Sequence, residues 1–401
     1  MIVTFVLFLA GFPLLLFGAE WLVKGASRLA VAWGISALAV GLTVVAYGTS
    51  MPELAVSAVA SWRAADPNAS TGPRAEAEET SDDIAVGNVV GSNIANFLLV
   101  LGLSALAAPL VVTKEVVQRS LPLVIFLSFL FFAFAWDWSG DGRAIIARWQ
   151  GLVFVVGLFV YTFRAIHRGR AQKRAEREQA EEIEEEFGHL GSGKFAWAIE
   201  LARIVAGLVM LVVGAKWLVD GAVAAAVWLH VSKLVISLTV VAVGTSLPEI
   251  VTCVVAVLRG HRDLAVGNAV GSNVFNILMV IGVCSSIAPG GGIEVAPRAL
   301  YYDIPIMIGV AVLVWPVAYT GFKITRLEGA LLLGLYVVYT VYLVVREIEG
   351  SPLLAPLETA MLYGAAPLLT VTFGVRTAKQ WLNRPEASAA RASAAEGRKG
   401  D

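Results

Sequence analysis

Charged residues are scarce in this sequence. Aspartate, glutamate, lysine and arginine make up 15% of its 401 residues, whereas a soluble domain carries about 25%. Hydrophobic residues make up 58%, and the mean hydropathy is +0.75. This composition excludes an ordinary soluble protein. It predicts an integral membrane protein whose surroundings are the lipid bilayer, and we expect no nucleic-acid partner.

Cysteine and histidine are also rare, which limits the metal and redox chemistry available. The two cysteines, Cys253 and Cys284, lie in apolar runs, so we expect buried small side chains rather than a disulfide or a thiolate metal site. The four histidines fall near or outside the ends of those runs, and there is no HExxH motif. We therefore expect neither an enzyme nor a resident cofactor.

Long apolar runs dominate the chain. A transmembrane helix needs about 20 apolar residues, and the sequence contains eleven candidates. They cover residues 2–33, 37–62, 84–108, 119–136, 145–164, 197–229, 233–258, 263–288, 301–320, 327–346 and 353–375. The sequence thus predicts an all-α membrane protein.

The first ten runs form two sets of five that are related by an internal repeat. Residues 42–60 match residues 238–256 at 12 of 19 positions, and residues 84–102 match residues 264–282 at 12 of 19. Because five spans is an odd number, the second copy enters the membrane from the opposite side. The sequence therefore predicts an inverted-topology repeat of two five-helix halves.

The basic residues predict the orientation. With the N-terminus outside, inner segments hold 21 of the 30 Lys and Arg residues and outer segments hold seven, as the positive-inside rule requires. The linker and the C-terminal tail are then cytoplasmic, and the protein is a multi-pass protein of the cell (inner or plasma) membrane. The predicted parts are a first repeat (1–164), a charged linker (165–196), a second repeat (197–346), an extra span (347–384) and a disordered tail (385–401).

One element occurs once in each repeat and interrupts an apolar run. It reads Gly-Thr-Ser-Met-Pro-Glu at 48–53 and Gly-Thr-Ser-Leu-Pro-Glu at 244–249. Glycine permits a non-helical φ and proline lacks an N–H, so we expect the helices to break at Gly48 and Gly244 and to free backbone carbonyls. Breaks in corresponding positions of two halves indicate the binding site of a secondary transporter.

Oxygen atoms are the only ligands that this element and the second repeated motif offer. Glu53 and Glu249 would repel each other at the bilayer midplane unless cations neutralise them. An all-oxygen site suits hard cations such as Ca²⁺ or Na⁺ rather than zinc or copper. The other candidate side chains are Thr49, Ser50, Thr245, Ser246, Asn96 and Asn276.

In the second repeated motif (84–102 and 264–282), polar residues recur at every fourth position, which supports the expectation that their side chains meet at one site. Asn88, Ser92 and Asn96 share one helix face, as do Asn268, Ser272 and Asn276. We interpret Asn88 and Asn268 as packing residues one turn away from the ions. For Glu20 and Lys216, which are repeat counterparts in spans 1 and 6, we expect snorkelling or mutual pairing.

The two motifs resemble the signature repeats of the sodium/calcium exchanger family of the cation/calcium antiporter superfamily, over about residues 1–346. The resemblance implies a prokaryotic-type ten-helix core, in which spans 2, 3, 7 and 8 form the ion site and spans 1 and 6 slide across it. It implies that Glu53 and Glu249 bridge Ca²⁺ with the main-chain carbonyls of Thr49 and Thr245. It also implies Na⁺ sites lined by Ala46, Ser50, Ser92, Ala242, Thr245, Ser246 and Ser272, with Asn96 and Asn276 in the middle.

The chain departs from the family pattern in two places. Some family members have an aspartate where this chain has Asn276, which weakens any expectation of K⁺ co-transport. The eleventh run, 353–375, lies outside the ten-helix pattern, and a re-entrant or peripheral helix is the alternative to a span.

The expected function is exchange of Na⁺ for Ca²⁺ by alternating access, and the resemblance implies three Na⁺ per Ca²⁺. The nearest alternative is a Ca²⁺/H⁺ antiporter of the same superfamily, in which protons on the two glutamates replace sodium. The Thr-Ser pairs favour Na⁺, since protons need no extra ligands. A cation channel or a non-transporting calcium sensor is the alternative from another class, and the oligomeric state stays open.

Overall fold

The fold is all-α, and its helices match the predicted spans. The computed structural model describes residues 2–63, 81–138, 144–173, 196–228, 242–346, 351–360 and 374. Within these ranges, eight helices are long and apolar enough to cross a membrane, and the number is nine when the bent pair of helices at 37–62 is counted as one span. This confirms the predicted fold class of an all-α integral membrane protein.

The elements follow the repeat order. The first half consists of α1 (Ile2–Trp33), α2 (Ala37–Thr49), α3 (Met51–Arg63), α4 (81–107), β1 (Leu110–Val111), α5 (Val116–Ala135), β2 (Ile145–Ala147) and α6 (Arg148–Lys173). The second half consists of α7 (Ala196–Trp228), α8 (Ala242–Thr245), α9 (Leu247–Leu258), α10 (Arg262–Ile287), β3 (Gly292–Glu294), α11 (Ala299–Phe322), β4 (Lys323–Ile324) and α12 (Arg326–Arg346). A short helix, α13 (Leu354–Ala360), follows.

Some predicted segments lie partly or wholly outside the described residues. The seventh span is described only from residue 242, and the eleventh only as α13 and residue 374. Of the predicted linker, residues 165–173 form the end of α6, and residue 196 begins α7. The total of ten core spans, the extra span and the disordered tail therefore stay predictions.

Helices α1 and α7, which begin the two halves, pack closely through glycines. A Cβ atom on Gly18 would lie 2.8 Å from the carbonyl oxygen of Gly207, and one on Gly11 would lie 2.9 Å from that of Gly214. Small residues at such positions let two transmembrane backbones approach. Gly18 and Gly214 are corresponding residues of the repeat, so the two halves contribute equivalently to this contact.

The short strands pair in a way that agrees with an inverted repeat. β1 pairs with β4 and β2 pairs with β3, both antiparallel, with Leu110 opposite Ile324 and Ile146 opposite Ile293. The repeat exchanges β1 with β3 and β4 with β2, so it converts one pair into the other. In the predicted orientation, the first pair joins two cytoplasmic loops and the second joins two external loops.

Glu20 and Lys216 do not pair with each other. Glu20 forms an ion pair with Arg259, and Lys216 lies 3.3 Å from Asp220, one turn along α7. Both side chains are well exposed, at 41% and 71%. Each can therefore reach a nearer partner, and the expectation of mutual pairing is wrong.

Candidate cation-binding site

Both Gly-Thr-Ser-x-Pro-Glu elements break their helices, but two residues later than expected. α2 and α3 meet at Ser50 with a bend of 42°, and α8 and α9 meet at Ser246. The two serines have nearly the same backbone conformation, with φ −84° and ψ 2° at Ser50 and φ −88° and ψ 2° at Ser246. The repeated sequence therefore gives a repeated break.

The glycines of the two elements contact α7 rather than bend the chain. Neither has a positive φ. A Cβ atom on Gly48 would lie 2.6 Å from Cδ1 of Leu208, and Gly244 lies in the same way against Val219. The expectation that glycine conformation breaks the helix is thus wrong. The break follows instead from the proline, which leaves the carbonyl four residues earlier without its helical donor.

Helix α10 crosses α2 at very short distance. A Cβ atom on Gly267 would lie 2.8 Å from the carbonyl oxygen of Leu38, and one on Gly271 would lie 2.8 Å from Cβ of Ala46. The crossing brings the second motif of one half against the broken helix of the other. In the second half, the segment that corresponds to this part of α2 by the repeat, residues 233–241, lies outside the described residues.

Thr49 joins the two halves at this crossing. Its hydroxyl group donates to Oδ1 of Asn268 at 3.2 Å and lies 3.4 Å from the hydroxyl group of Ser272. The same side chain contacts the carboxylate of Glu249, whose charge in turn interacts with that of Glu53. The structure therefore places carboxylates from both halves next to each other, as the repeat predicts.

Nearly all predicted site residues are buried in one region. The side chains with at most 4% exposure are those of Ala46, Thr49, Ser50, Glu53, Ser92, Asn96, Ser246, Glu249, Ser272 and Asn276. Thr245 is partly exposed, and the side chain of Ala242, the first residue of α8, lies outside the described residues. Their roles as cation ligands stay predictions.

Seven buried side-chain oxygens in this region have no hydrogen-bond partner within the described part of the chain. They are Oγ of Ser50 and Ser246, both Oε atoms of Glu53, Oε2 of Glu249, and Oδ1 of Asn96 and Asn276. A buried polar atom without a partner costs about 1–3 kcal/mol, and a charged one costs more. Carboxylate, amide and hydroxyl oxygens are the ligands that hard cations take, so this set of atoms fits a cation.

Asn88 and Asn268 make equivalent contacts in the two halves. Nδ2 of Asn88 donates to Oγ of Ser57 at 3.0 Å, and Nδ2 of Asn268 donates to Sγ of Cys253 at 3.2 Å. Ser57 and Cys253 correspond in the repeat, and each lies four residues after a site glutamate. Each asparagine thus contacts the helix that presents a glutamate, in agreement with the packing role expected for the pair.

Asn93 is a site candidate that the sequence analysis missed. Its Oδ1 accepts a hydrogen bond from Nδ2 of Asn276 at 3.0 Å, and its Nδ2 donates to Sδ of Met307 at 3.5 Å. It therefore orients the amide group of Asn276 from across the repeat boundary. The signal was the Gly-Ser-Asn triplet, which occurs at 91–93 and again at 271–273.

Two of the site asparagines begin wide helical turns. Asn96 begins the π-helical segment Asn96–Val100 of α4, and Asn276 begins Asn276–Ile281 of α10. Such segments are rare in helices and frequent at functional sites. The two π-helical segments begin at corresponding residues of the repeat, so they lie at equivalent positions of the two halves.

Known proteins are similar to this chain in sequence and in fold. The family model described as "Sodium/calcium exchanger protein" matches residues 3–167 and 199–345. The chain is 31% identical over 318 residues to the sodium/calcium exchanger MaX1 of Methanosarcina acetivorans, covering 74% of this chain and 85% of that one. It is 32% identical over 268 residues to the inner membrane protein YrbG of Escherichia coli, covering 66% and 73%.

A solved structure matches most of the chain. The sodium-calcium exchanger NCX_Mj, soaked with 2.5 mM Na⁺ and 0.1 mM Ca²⁺, superposes with a TM-score of 0.67 at 27% identity, over 85% of this chain and 98% of that one. The matched family segments end where the described helices α6 and α12 end to within a few residues. From its repeated motifs, its fold and these matches, the chain belongs to the sodium/calcium exchanger protein family.

Proposed function

We propose that this protein is a secondary active antiporter that exchanges Na⁺ for Ca²⁺ across the cell membrane by alternating access. The observation that carries the proposal is the set of seven buried oxygens without hydrogen-bond partners in the described residues. The two halves contribute to this set through the same three residue types, serine, glutamate and asparagine. A cation held between the halves would satisfy atoms from both at once.

The charge of the site supports competition between the two ions. Two ionised glutamates give a charge of about −2, which one Ca²⁺ neutralises and three Na⁺ exceed by one. One Ca²⁺ and three Na⁺ need the same oxygens, so the two sets of ions cannot occupy the site together. If only fully loaded forms switch between the two sides of the membrane, exclusion is sufficient for antiport.

The proposed ligand set is the predicted one. Glu53 and Glu249, with the main-chain carbonyls of Thr49 and Thr245, hold Ca²⁺. Na⁺ binds among the remaining candidates, which are Ala46, Ser50, Ser92, Ala242, Ser246 and Ser272, together with the hydroxyl group of Thr245. Asn96 and Asn276 lie between the two groups, and Asn93 fixes the amide of Asn276.

The relatives support the choice of ions. MaX1 is described as a sodium/calcium exchanger, and NCX_Mj has been soaked with Na⁺, Ca²⁺ and Sr²⁺. We further propose a ratio of three Na⁺ per Ca²⁺, which the family resemblance implies. Each cycle then moves one net charge, which is worth about 2.3 kcal/mol per 100 mV.

The test is Ca²⁺ uptake into proteoliposomes loaded with Na⁺, with the membrane potential fixed by K⁺ and valinomycin. The proposal predicts uptake that requires the outward Na⁺ gradient and increases when the interior is positive. Uptake driven by a pH gradient alone would assign the protein to the Ca²⁺/H⁺ antiporters. Uptake that follows Ca²⁺ downhill, indifferent to both gradients, would contradict any antiporter.

A further inference from the structure

An ion pair joins α1 of the first half to the end of α9 in the second half. The guanidinium group of Arg259, the residue that directly follows α9, donates to Oε1 of Glu20 on α1. The two side chains are 49% and 41% exposed, so the pair lies at the surface of the contact between the helices. It is distinct from the candidate cation site, whose carboxylates are buried.

The internal repeat reverses one charge of this pair and keeps the other. The nine residues around Glu20 read Gly-Ala-Glu-Trp-Leu-Val-Lys-Gly-Ala, and those around Lys216 read Gly-Ala-Lys-Trp-Leu-Val-Asp-Gly-Ala. Glu20 therefore corresponds to Lys216. Arg259 corresponds to another arginine, Arg63, which is the last residue of α3. Opposite charges in one position thus become like charges in the position related by the repeat.

The carboxylate that α7 carries near Lys216 does not replace Glu20. Asp220 lies one turn along α7, and its Oδ2 is 3.3 Å from Nζ of Lys216. Pairs of this kind, four residues apart on one helix, stabilise the helix itself. Because both partners move with α7, the pair favours no particular position of α7 relative to α3.

Helices α1 and α7 are joined firmly to each other, beyond their contacts through glycines. Glu200, near the start of α7, lies 3.2 Å from Arg28 of α1 and 2.7 Å from Arg203. The carboxylate is only 5% exposed, so salt screens this cluster less than a surface pair. We therefore expect α1 and α7 to move as one body. A displacement of that body along α9 separates Glu20 from Arg259.

The contacts of this body with the two halves are unequal. Helix α1 packs along α9, whereas the corresponding helices, α7 and α3, do not pack along each other within the described part of the chain. An inverted repeat has a second conformation of the same kind, in which the two halves exchange these roles. In that conformation α7 packs along α3, and Lys216 rather than a glutamate approaches Arg63.

We propose that the ion pair of Glu20 and Arg259 is a latch that favours the conformation in which α1 packs along α9. The other conformation lacks an equivalent attraction, because the repeat gives it two cations. This inference rests on alternating access and therefore on the proposed function. The latch is a modest one, since an exposed ion pair shifts an equilibrium by about two- to fivefold.

The predicted orientation gives the latch a direction. Arg259 then lies at the cytoplasmic end of its span, so the latch holds the cytoplasmic side of the protein closed. The conformation that takes up Ca²⁺ from the cytoplasm is correspondingly less populated. Its smaller share raises the apparent Kd for cytoplasmic Ca²⁺ by the same factor.

The test is double electron–electron resonance on the full-length protein in lipid nanodiscs at saturating Na⁺. Spin labels are attached to Trp197→Cys near the start of α7 and Leu327→Cys near the start of α12, where the native side chains are 48% and 67% exposed. The native cysteines are buried and should stay unlabelled. We expect two distance populations, with the distance of the present structure in excess. Glu20→Gln should lower the ratio of the two populations by about two- to fivefold.

A reversed pair separates the latch from a general structural effect. Glu20→Arg combined with Arg259→Glu should restore the wild-type ratio, which a loss of packing at either position would not allow. Arg262→Gln is the matched control, because it removes the same charge three residues later and lies outside the pair. Lys216→Glu should lower the ratio, as Glu20→Gln does, since it provides a carboxylate for Arg63.

The proposal is overturned by an unchanged ratio in Glu20→Gln and Arg259→Gln, or by a reversed pair that does not restore it. A single distance in wild type and all variants would also overturn it, because no equilibrium would then exist to be shifted. Na⁺-driven Ca²⁺ uptake is measured separately. Uptake by wild type together with an unchanged ratio in Glu20→Gln would refute the latch and leave the proposed function in place.

Discussion

The two halves of the candidate site offer the same ligand types in different surroundings. In the first half, both carboxylate oxygens of Glu53 lack a hydrogen-bond partner among the described residues. In the second half, only Oε2 of Glu249 does, and this carboxylate contacts Thr49 of the first half. The two carboxylates therefore differ in how many of their oxygens lack a hydrogen-bond partner among the described residues.

Asn88 and Asn268, which contact the helices that present the two glutamates, also differ between the halves. Among the described residues, the hydrogen bonds of Asn88 go to Ser57 and, at 3.3 Å, to the main-chain carbonyl of Glu53, both in its own half. Asn268 contacts Cys253 of its own half and Thr49 of the other. Duplication thus keeps the ligand types the same in both halves, while the two asparagines differ in the hydrogen bonds that the described residues give them. Substitutions in each half test whether these differences matter for ion binding and transport.

The largest effect should come from the two carboxylates, because each half supplies one and the proposed site needs both. We expect Glu53→Gln and Glu249→Gln each to reduce Na⁺-dependent Ca²⁺ uptake by more than about 100-fold, since removing one partner from a buried charge interaction costs about 3–5 kcal/mol. Asp220→Asn is the control, because this acid is 54% exposed and pairs along α7. Near-normal uptake by either glutamine variant would show that the site does not need that carboxylate.

Acid pH should inhibit Ca²⁺ uptake, because it acts on the carboxylates of both halves. Carboxylates bind cations only when ionised, so protons compete with Na⁺ and Ca²⁺ for the same oxygens, and uptake should fall steadily from about pH 8 to about pH 5.5. The measurement is the initial rate at equal pH on both sides, so that no proton gradient contributes. A flat profile would contradict cation binding by these glutamates.

Substitution of Asn268 and of Asn88 should have different effects on Ca²⁺ binding. We expect Asn268→Ala to weaken Ca²⁺ binding by about tenfold, as is usual for groups that orient a ligand, and Asn88→Ala to weaken it less. The reason is that Asn268 also fixes Thr49. Calcium titrations of the two variants, with their melting temperatures as a check on folding, measure the difference. Equal losses would show that the contact across the crossing has no influence.

The smallest effect should come from making the halves more alike. Cys253→Ser gives the second half the hydroxyl group that Ser57 supplies in the first, and it keeps an acceptor for Asn268. We expect uptake to change by less than about threefold, since a hydrogen bond of about 1 kcal/mol is retained. Cys253→Val, which removes the acceptor, should reduce uptake more. The opposite order would show that volume rather than hydrogen bonding matters at this position.

Repeats and apolar runs were sufficient to predict the fold class and to name the residues of the candidate site. The elements at 48–53 and 244–249 predicted two broken helices, because proline and buried carboxylates conflict with a continuous apolar span. They could not predict the break at the serines. The role of Gly48 is set by Leu208 on α7, a contact that lies far away in the sequence.

Contacts across the repeat boundary explain what sequence reasoning missed. Asn93 is important through Asn276, 183 residues later, and no local pattern predicts that pair. The π-helical turns at Asn96 and Asn276 depend on packing around the helix rather than on hydrophobic periodicity. The partner of Glu20 is likewise decided by which charged group α9 brings near to α1.

Calcium binding to the purified protein, measured by isothermal titration calorimetry at increasing Na⁺ concentration, tests the proposed site most directly. We expect one Ca²⁺ site whose apparent Kd rises with Na⁺, and we expect Glu53→Gln and Glu249→Gln each to abolish the binding heat. Ca²⁺ binding that is unaffected by Na⁺, or that survives in either variant, would contradict a single site formed by both halves.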